Sequence, residues 1–215
     1  MKSVTILGST GSIGVQALEV CTRLRFRVVA LTAHSNAALL EQQARLCNPQ
    51  AVALADEMAA SELRIALADT SVKVLSGPEG VEECAAMQCD CVLNGIVGVA
   101  GLRPTMAALE TGARLALANK ESLVAGGALV MRYAHECNRE ILPVDSEHSA
   151  IFQCLGADAN LNREQRSERA APQVPERLIL TASGGAFYGK TKDELERVTA
   201  AQALQHPTWR MGWKS

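Results

Sequence analysis

The chain has 215 residues, 48% of them apolar and 20% charged, which excludes wholesale disorder and a collagen-like repeat and is enough to build a buried core. Its 21 basic and 23 acidic residues give a net charge of −2, which excludes an electrostatic basis for nonspecific nucleic-acid binding and points to a small-molecule partner. No apolar run reaches the ~20 residues of a spanning helix, and Met1-Lys2-Ser3 leads directly into a strand-like segment, so a cytoplasmic protein without membrane association is expected.

Val4–Leu7 reads as a strand ending in Gly8, and Ser12–Thr22 as a helix with Ile13, Ala17, Leu18 and Cys21 on one face. Strands follow at Phe26–Thr32, Ala51–Leu54, Val72–Leu75, Cys91–Asn94, Arg114–Ala118 and Glu140–Val144. Helices are expected at Ala37–Cys47, Met58–Ala68, Val81–Met87, Pro104–Thr111 and Gly126–Asn138, with a loop at Gly95–Gly101. With aromatic residues at only 3%, Ala, Val, Leu and Ile fill the interior, a mixture that suits parallel strands buried on both faces. Right-handed crossovers then imply an α/β, doubly wound, mostly parallel sheet over about residues 1–150.

Residues 157–176 concentrate charge, carry two prolines and lack apolar periodicity, as an exposed linker does. Arg177–Thr181 reads as a strand, Ser183-Gly184-Gly185 as a glycine-rich loop, and Lys192–Leu204 as a helix, the start of a second, α+β domain over 151–215. Seven cysteines, an odd number without a CxxC pair, fit neither a disulfide framework nor zinc spacing and read as reduced, mostly buried residues.

Gly8-Ser-Thr-Gly11-Ser-Ile-Gly14 lies between a strand and a helix, where glycines let the backbone approach a pyrophosphate and helix amides face it. No carboxylate occurs from Val28 to Ala38, where an NAD site would hold the ribose hydroxyls. The strand tip instead reads Ala33-His34-Ser35-Asn36, which favours NADP or is simply a polar turn with a helix cap. Asn119-Lys120-Glu121-Ser122 follows a strand and is either a ligand site or a capped helix start. Asp145 and Glu147, two apart after the next strand, would point the same way in an extended segment and could hold a hard divalent cation; alternatively, Asp145-Ser-Glu-His begins a helix.

Taken in order, GSTGSIG, LANKES, PVDSEHSAIFQ, LTASGGAF and HPTWRMG resemble the 1-deoxy-D-xylulose 5-phosphate reductoisomerase family from residue 1 to the end of the chain. The resemblance implies a Rossmann-like NADPH domain over 1–150, a partial catalytic domain over 151–215, and a homodimer. It further implies NADPH- and Mg²⁺- or Mn²⁺-dependent conversion of 1-deoxy-D-xylulose 5-phosphate to 2-C-methyl-D-erythritol 4-phosphate in non-mevalonate isoprenoid synthesis.

By resemblance, Thr10, Gly11, Ser12 and Ile13 line the pyrophosphate, Ser35 and Asn36 meet the 2′-phosphate, and Asn119, Glu121 and Gly212 complete the cofactor site. Lys120, Ser146, Ser183 and His206 would contact substrate, Asp145 and Glu147 would bind metal, and Trp209 would sit on a closing loop. Where the family often carries Gly-Lys-Asn, this chain has His34-Ser35-Asn36, which removes a lysine from the 2′-phosphate end. The family's DSATxMNKGLE segment, with a further metal carboxylate and the phosphate-binding groups, would fall beyond Ser215, so the 215 residues are expected to be an inactive fragment. Two other readings stay open: a non-catalytic NADP-binding module, and a semialdehyde-type dehydrogenase, which would need a nucleophilic cysteine where Cys154 follows residues that read as helix core.

Overall fold

The computed structural model describes residues 2–155, 176–181 and 185–205. It forms two compact units, Met1–Gln173 and Val174–Ser215.

In the first unit seven parallel strands form one sheet: β1 (Ser3–Leu7), β2 (Arg27–Ala33), β3 (Ala51–Leu54), β4 (Lys73–Ser76), β5 (Cys91–Asn94), β6 (Arg114–Leu117) and β7 (Ile141–Pro143). They lie in the order β4-β3-β2-β1-β5-β6-β7, so the sheet reverses direction between β1 and β5. Helices α1 (Ser12–Arg23), α2 (Ala37–Cys47) and α3 (Glu57–Ala66) connect the outward-running half. Helices α4 (Gly77–Ala85), α5 (Leu102–Glu110) and α6 (Lys120–Glu136) serve the return, and α7 (Ser146–Cys154) follows β7.

Strand alternation sends neighbouring residues to opposite faces. Ile6, Leu31, Val52 and Leu54 pack with Leu18, Leu40 and Leu63 of α1–α3, whereas Leu7, Val92 and Leu115 pack with Leu109 and Val130 of α5 and α6. Where α4 crosses, β2 and β3 present only Ala30, Ala51 and Ala53. Against β4 next to them, α4 comes close enough that a Cβ on Gly80 would stand 2.9 Å from Leu75 Cβ. The scarcity of large aromatic residues is thus matched to a sheet covered tightly on both sides.

Several boundaries differ from expectation. Helix α4 starts at Gly77, before Val81, because Pro78 fits the first turn of a helix rather than interrupting one. Helix α6 starts at Lys120 and passes through Gly126, whose φ −136° and ψ 24° make a kink and not the helix start. The second unit departs further. Residues 177–181 form no strand: Leu178, Ile179 and Leu180 are exposed, and among the described residues no neighbouring strand pairs with them. The helix expected over 192–204 is two short ones, α8 (Lys192–Leu195) and α9 (Ala200–Ala203). Thr191–Glu194 and Thr199–Gln202 each form a reciprocal capping box that restarts the helix. The linker at 157–176 lies outside the described residues except for Glu176.

Candidate functional site

The candidate residues lie past the tips of β1, β2, β6 and β7, and hydrogen bonds past the strand ends keep the tips of β1, β5, β6 and β7 aligned. Gly95 N–H donates to Leu7 C=O at 2.9 Å, Ala118 N–H to Asn94 C=O at 2.9 Å, and Val144 N–H to Leu117 C=O at 2.9 Å. The glycine loop after β1 therefore lies beside the loop after β5, at the reversal point of the sheet, where open α/β sheets bind ligands.

Each glycine of GSTGSIG has a separate task. Gly8, at φ +79°, passes so near the neighbouring loop that a Cβ would lie 2.9 Å from Gly95 O, and a Cβ on Gly14 would lie 2.3 Å from Gly8 O. These two allow α1 to pack against the strand tip. Gly11 is exposed and stands at the start of α1, where no side chain caps the helix. The first-turn amides of α1 are left for a ligand. Thr10 and Ile13 are half-buried and Ser12 is exposed beside them.

The loop is held from below. Ser9 Oγ donates to Gln43 Oε1 at 2.7 Å, Gln43 Nε2 donates to Ser9 C=O at 2.9 Å, and Gly8 N–H donates to Thr32 Oγ1 at 3.2 Å. Asn94 does the same for the loop after β5, donating to Gly101 C=O and Thr105 Oγ1 and accepting from Ile96 N–H. Apart from Thr5, and from Asn119 and Ser122 at the start of α6, every buried polar side chain among the described residues belongs to these supports. Gln43, Asn94 and Thr105 went unnoticed in the sequence; a polar residue on the apolar face of a helix or at a strand tip was the available signal.

His34, Ser35 and Asn36 are exposed at the tip of β2. Asn36 Oδ1 caps α2 by accepting Leu39 N–H at 3.1 Å. Asp56 reaches this tip from β3, its N–H donating to His34 C=O at 2.9 Å, but its carboxylate accepts Ala59 N–H at 2.8 Å as the cap of α3.

Asn119 is 1% exposed and caps α6: Oδ1 accepts from Ser122 N–H and Oγ, while Nδ2 donates to the carbonyls of Ile96 and Gly98. Its amide thereby ties the loop after β5 to the tip of β6. Glu121 is half-buried beside it. Lys120, next in sequence, turns outward to Asp145, with Nζ 2.8 Å from Oδ2. On the other oxygen, His148 Nδ1 lies 2.7 Å from Oδ1, a contact that requires the proton on Nδ1. Burial disfavours ionisation of Asp145, yet the bonds from Lys120 and His148 outweigh it and hold the carboxyl well below the usual range. The same hydrogen bond to Asp145 raises Lys120.

Ser146–Cys154 is helical, so Asp145 and Glu147 do not alternate along an extended segment. Asp145 stands at the N-cap position without capping, and Glu147 lies in the first turn, accepting from Ser146 Oγ at 3.1 Å. No third His, Cys, Asp or Glu among the described residues joins them in a metal-ligating group. Ser183, His206, Trp209 and Gly212 lie outside the described residues. Helix α7 buries no residue, contrary to the core expected before Cys154, and Cys154 is exposed. Among the described residues all seven cysteines are free; Cys21 and Cys84 are buried and four others half-buried.

The family model for 1-deoxy-D-xylulose 5-phosphate reductoisomerase matches residues 4–127, and the model for the C-terminal domain of that enzyme matches residues 141–215. The chain belongs to the 1-deoxy-D-xylulose 5-phosphate reductoisomerase family. The reductoisomerase of Desulfitobacterium hafniense (strain DSM 10664 / DCB-2) is 48% identical, and that of Thermoanaerobacter sp. (strain X514) 46% identical, each over the whole of this chain. The alignments take in 54% and 53% of those relatives, so the chain spans about half the length of the curated reductoisomerases it matches. Among solved structures, the Zymomonas mobilis reductoisomerase in complex with NADPH superposes with a TM-score of 0.84 at 40% identity, covering 96% of this chain and 52% of that one. A reductoisomerase in complex with NADPH, fosmidomycin and magnesium gives 0.85 at 37% identity over 100% and 53%.

Proposed function

We propose that this chain supplies the NADPH-binding domain, about residues 1–150, and part of the catalytic domain, 151–215, of a reductoisomerase that converts 1-deoxy-D-xylulose 5-phosphate to 2-C-methyl-D-erythritol 4-phosphate. One observation carries the reading: an uncapped glycine loop at the reversal point of the sheet and an acidic, lysine-paired loop two strands beyond β5 stand on the same edge.

The residues fit a dinucleotide phosphate. The amides opening α1 and the exposed Gly11 suit a pyrophosphate, and the tip of β2 offers His34, Ser35 and the N-terminus of α2, while the carboxylate of Asp56, whose N–H bonds His34, is engaged as a cap. They fit a hard divalent cation as well, since Mg²⁺ is commonly held by one or two carboxylates plus water and ligand oxygens, and Asp145 and Glu147 are such a pair. When bound, the metal supplies Lewis acidity to the substrate oxygens and the nicotinamide supplies a hydride. The chain's own part is to orient. Asn119 fixes the loop after β5 against α6, and Lys120 and Ser146 offer donors to substrate oxygens. Ser183, His206 and Trp209 complete the substrate contacts on this reading, with Glu121 and Gly212 at the cofactor. The working enzyme is a cytoplasmic homodimer using magnesium or manganese.

Calorimetric titration of the chain with NADPH and NADH tests the reading. NADPH should bind more tightly because no free carboxylate awaits a ribose 2′-hydroxyl after β2; equal or reversed affinities would overturn it.

A further inference from the structure

The carboxylates at the tip of β7 are already served by a cation, and the chain itself provides it. Lys120 opens α6 after β6, and Asp145 follows β7 one strand along. The pairing of Leu117 with Pro143 brings the two loops level. Lys120 Nζ stands 2.8 Å from Asp145 Oδ2, while Glu147 and Glu121 act on the same ammonium through space. Asp145 and Glu147 together carry two negative charges, which a divalent ion would match.

The two partners of the pair differ in how firmly they are held. Asp145 is short, exposes 15% of its side chain and is fixed at Oδ1 by His148. Lys120 has a long flexible stem and is 53% exposed. An ion pair of this kind opens by moving the lysine, not the aspartate.

We propose that Lys120 is a placeholder cation: its ammonium occupies the Asp145 oxygen that a divalent metal takes, and metal entry releases it toward the bound ligand. The inference rests on the metal reading of Asp145 and Glu147 above. A metal about 2 Å from Oδ2 with the ammonium kept at its present distance would put the two cations no more than about 5 Å apart, where like charges repel. One must leave, and the divalent ion gains twice the attraction at each oxygen. Before metal arrives, the ammonium offsets the mutual repulsion of Asp145 and Glu147 and keeps their loop ready. Afterwards, a freed ammonium at the edge of the site favours an anionic ligand oxygen. Metal and ligand binding would then reinforce each other through one side chain.

Two measurements on the full chain test this. Mn²⁺ affinity, read from loss of the free-ion EPR signal, is compared among the wild type, K120M, K120R and D145N. Acylation of lysines by an N-hydroxysuccinimide ester, read by peptide mass spectrometry, is compared with and without saturating Mg²⁺. The Lys73–Glu83 pair, whose atoms lie 2.7 Å apart, serves as a control outside the site. D145N should weaken Mn²⁺ about ten-fold or more. K120M should tighten it by about three-fold, the range of one exposed ion pair, whereas K120R should not tighten it. Lys120 acylation should rise with Mg²⁺ while that of Lys73 stays level. A K120M that binds Mn²⁺ no better than wild type, or a Lys120 whose acylation does not rise, overturns the placeholder role and leaves the metal site standing. Equal Mn²⁺ affinity in wild type and D145N removes the metal site itself, and the placeholder with it.

Discussion

Ser9 and Gln43 are bonded in both directions, hydroxyl to amide oxygen at 2.7 Å and amide nitrogen to main-chain carbonyl at 2.9 Å, with both residues buried. A helix two elements further on in the chain thus determines the position of the glycine loop. Gln43→Leu keeps the volume but strands the Ser9 hydroxyl and carbonyl. Each unsatisfied buried group costs about 1–3 kcal/mol, so the variant should lose roughly 2–6 kcal/mol in urea unfolding. Its NADPH affinity should fall as well, because the loop loses its support. An unchanged urea midpoint would mean that the pair contributes nothing to the loop.

Gly11 and Gly14 should respond in opposite ways. A Cβ on Gly14 would meet backbone, Gly8 O at 2.3 Å and Ser9 Cα at 2.5 Å, so Gly14→Ala must push α1 away from β1 and should destabilise by at least about 1–3 kcal/mol. At Gly11 the one close atom is Gly8 O at 3.3 Å and the residue is exposed. Gly11→Val should cost only about 1 kcal/mol, as an N-cap change does, yet block the pyrophosphate and abolish measurable NADPH binding. Thermal melts and calorimetry on the two variants separate the effects. Retained NADPH binding in Gly11→Val would show that the loop does not hold the cofactor.

The sheet was legible because its strands are buried on both faces: Ala51–Leu54 and Cys91–Asn94 stand out as short apolar runs between turns, and both agree residue for residue with the structure. Glycine and proline misled where they begin or bend helices, at Gly77-Pro78 and Gly126. The strand expected at 177–181 failed for another reason: β-branched composition gives a preference, but a strand also needs a partner for its backbone. At the site, the residues around Asp145 and Glu147 suited either an extended pair or a helix start, and the backbone takes the second, with Asp145 at the N-cap position and Glu147 in the first turn. The Lys120–Asp145 pair could not be read at all, since it depends on β6 and β7 lying side by side, a relation between residues 25 apart.

Thiol accessibility tests the close packing of α4. Cys84 is 0% exposed, and burial pushes its thiol up to about 12; burial likewise pushes Cys91 to about 11. Cys154, at the exposed end of α7, has no such shelter. Under native conditions at pH 8, iodoacetamide should modify Cys154 first and Cys84 only through opening of the fold, with the order read by peptide mass spectrometry. Cys84 labelled as fast as Cys154 would contradict the packing of α4 on β2 and β3.

The Lys120–Asp145 pair should also leave a mark on the pH dependence of stability. Asp145 is held below its unfolded value of about 3.9, so its contribution is fully present above that pH and is lost as pH falls through the lower folded value. Lys120 is held above its unfolded value of about 10.4, so its share is fully present below that pH and is lost as pH rises through the higher folded value. The pair therefore contributes across the neutral range and fails at both extremes. D145N removes the acid-side loss from this site, while Asp69 and Asp90, also lowered, titrate identically in both proteins. Urea unfolding in the presence of a chelator between pH 7 and 3 should show wild type more stable than D145N at neutral pH and converging with it as pH falls. Curves that stay parallel across that range would mean that Asp145 titrates in the folded chain as it does unfolded, and that the contacts from Lys120 and His148 do not persist in solution.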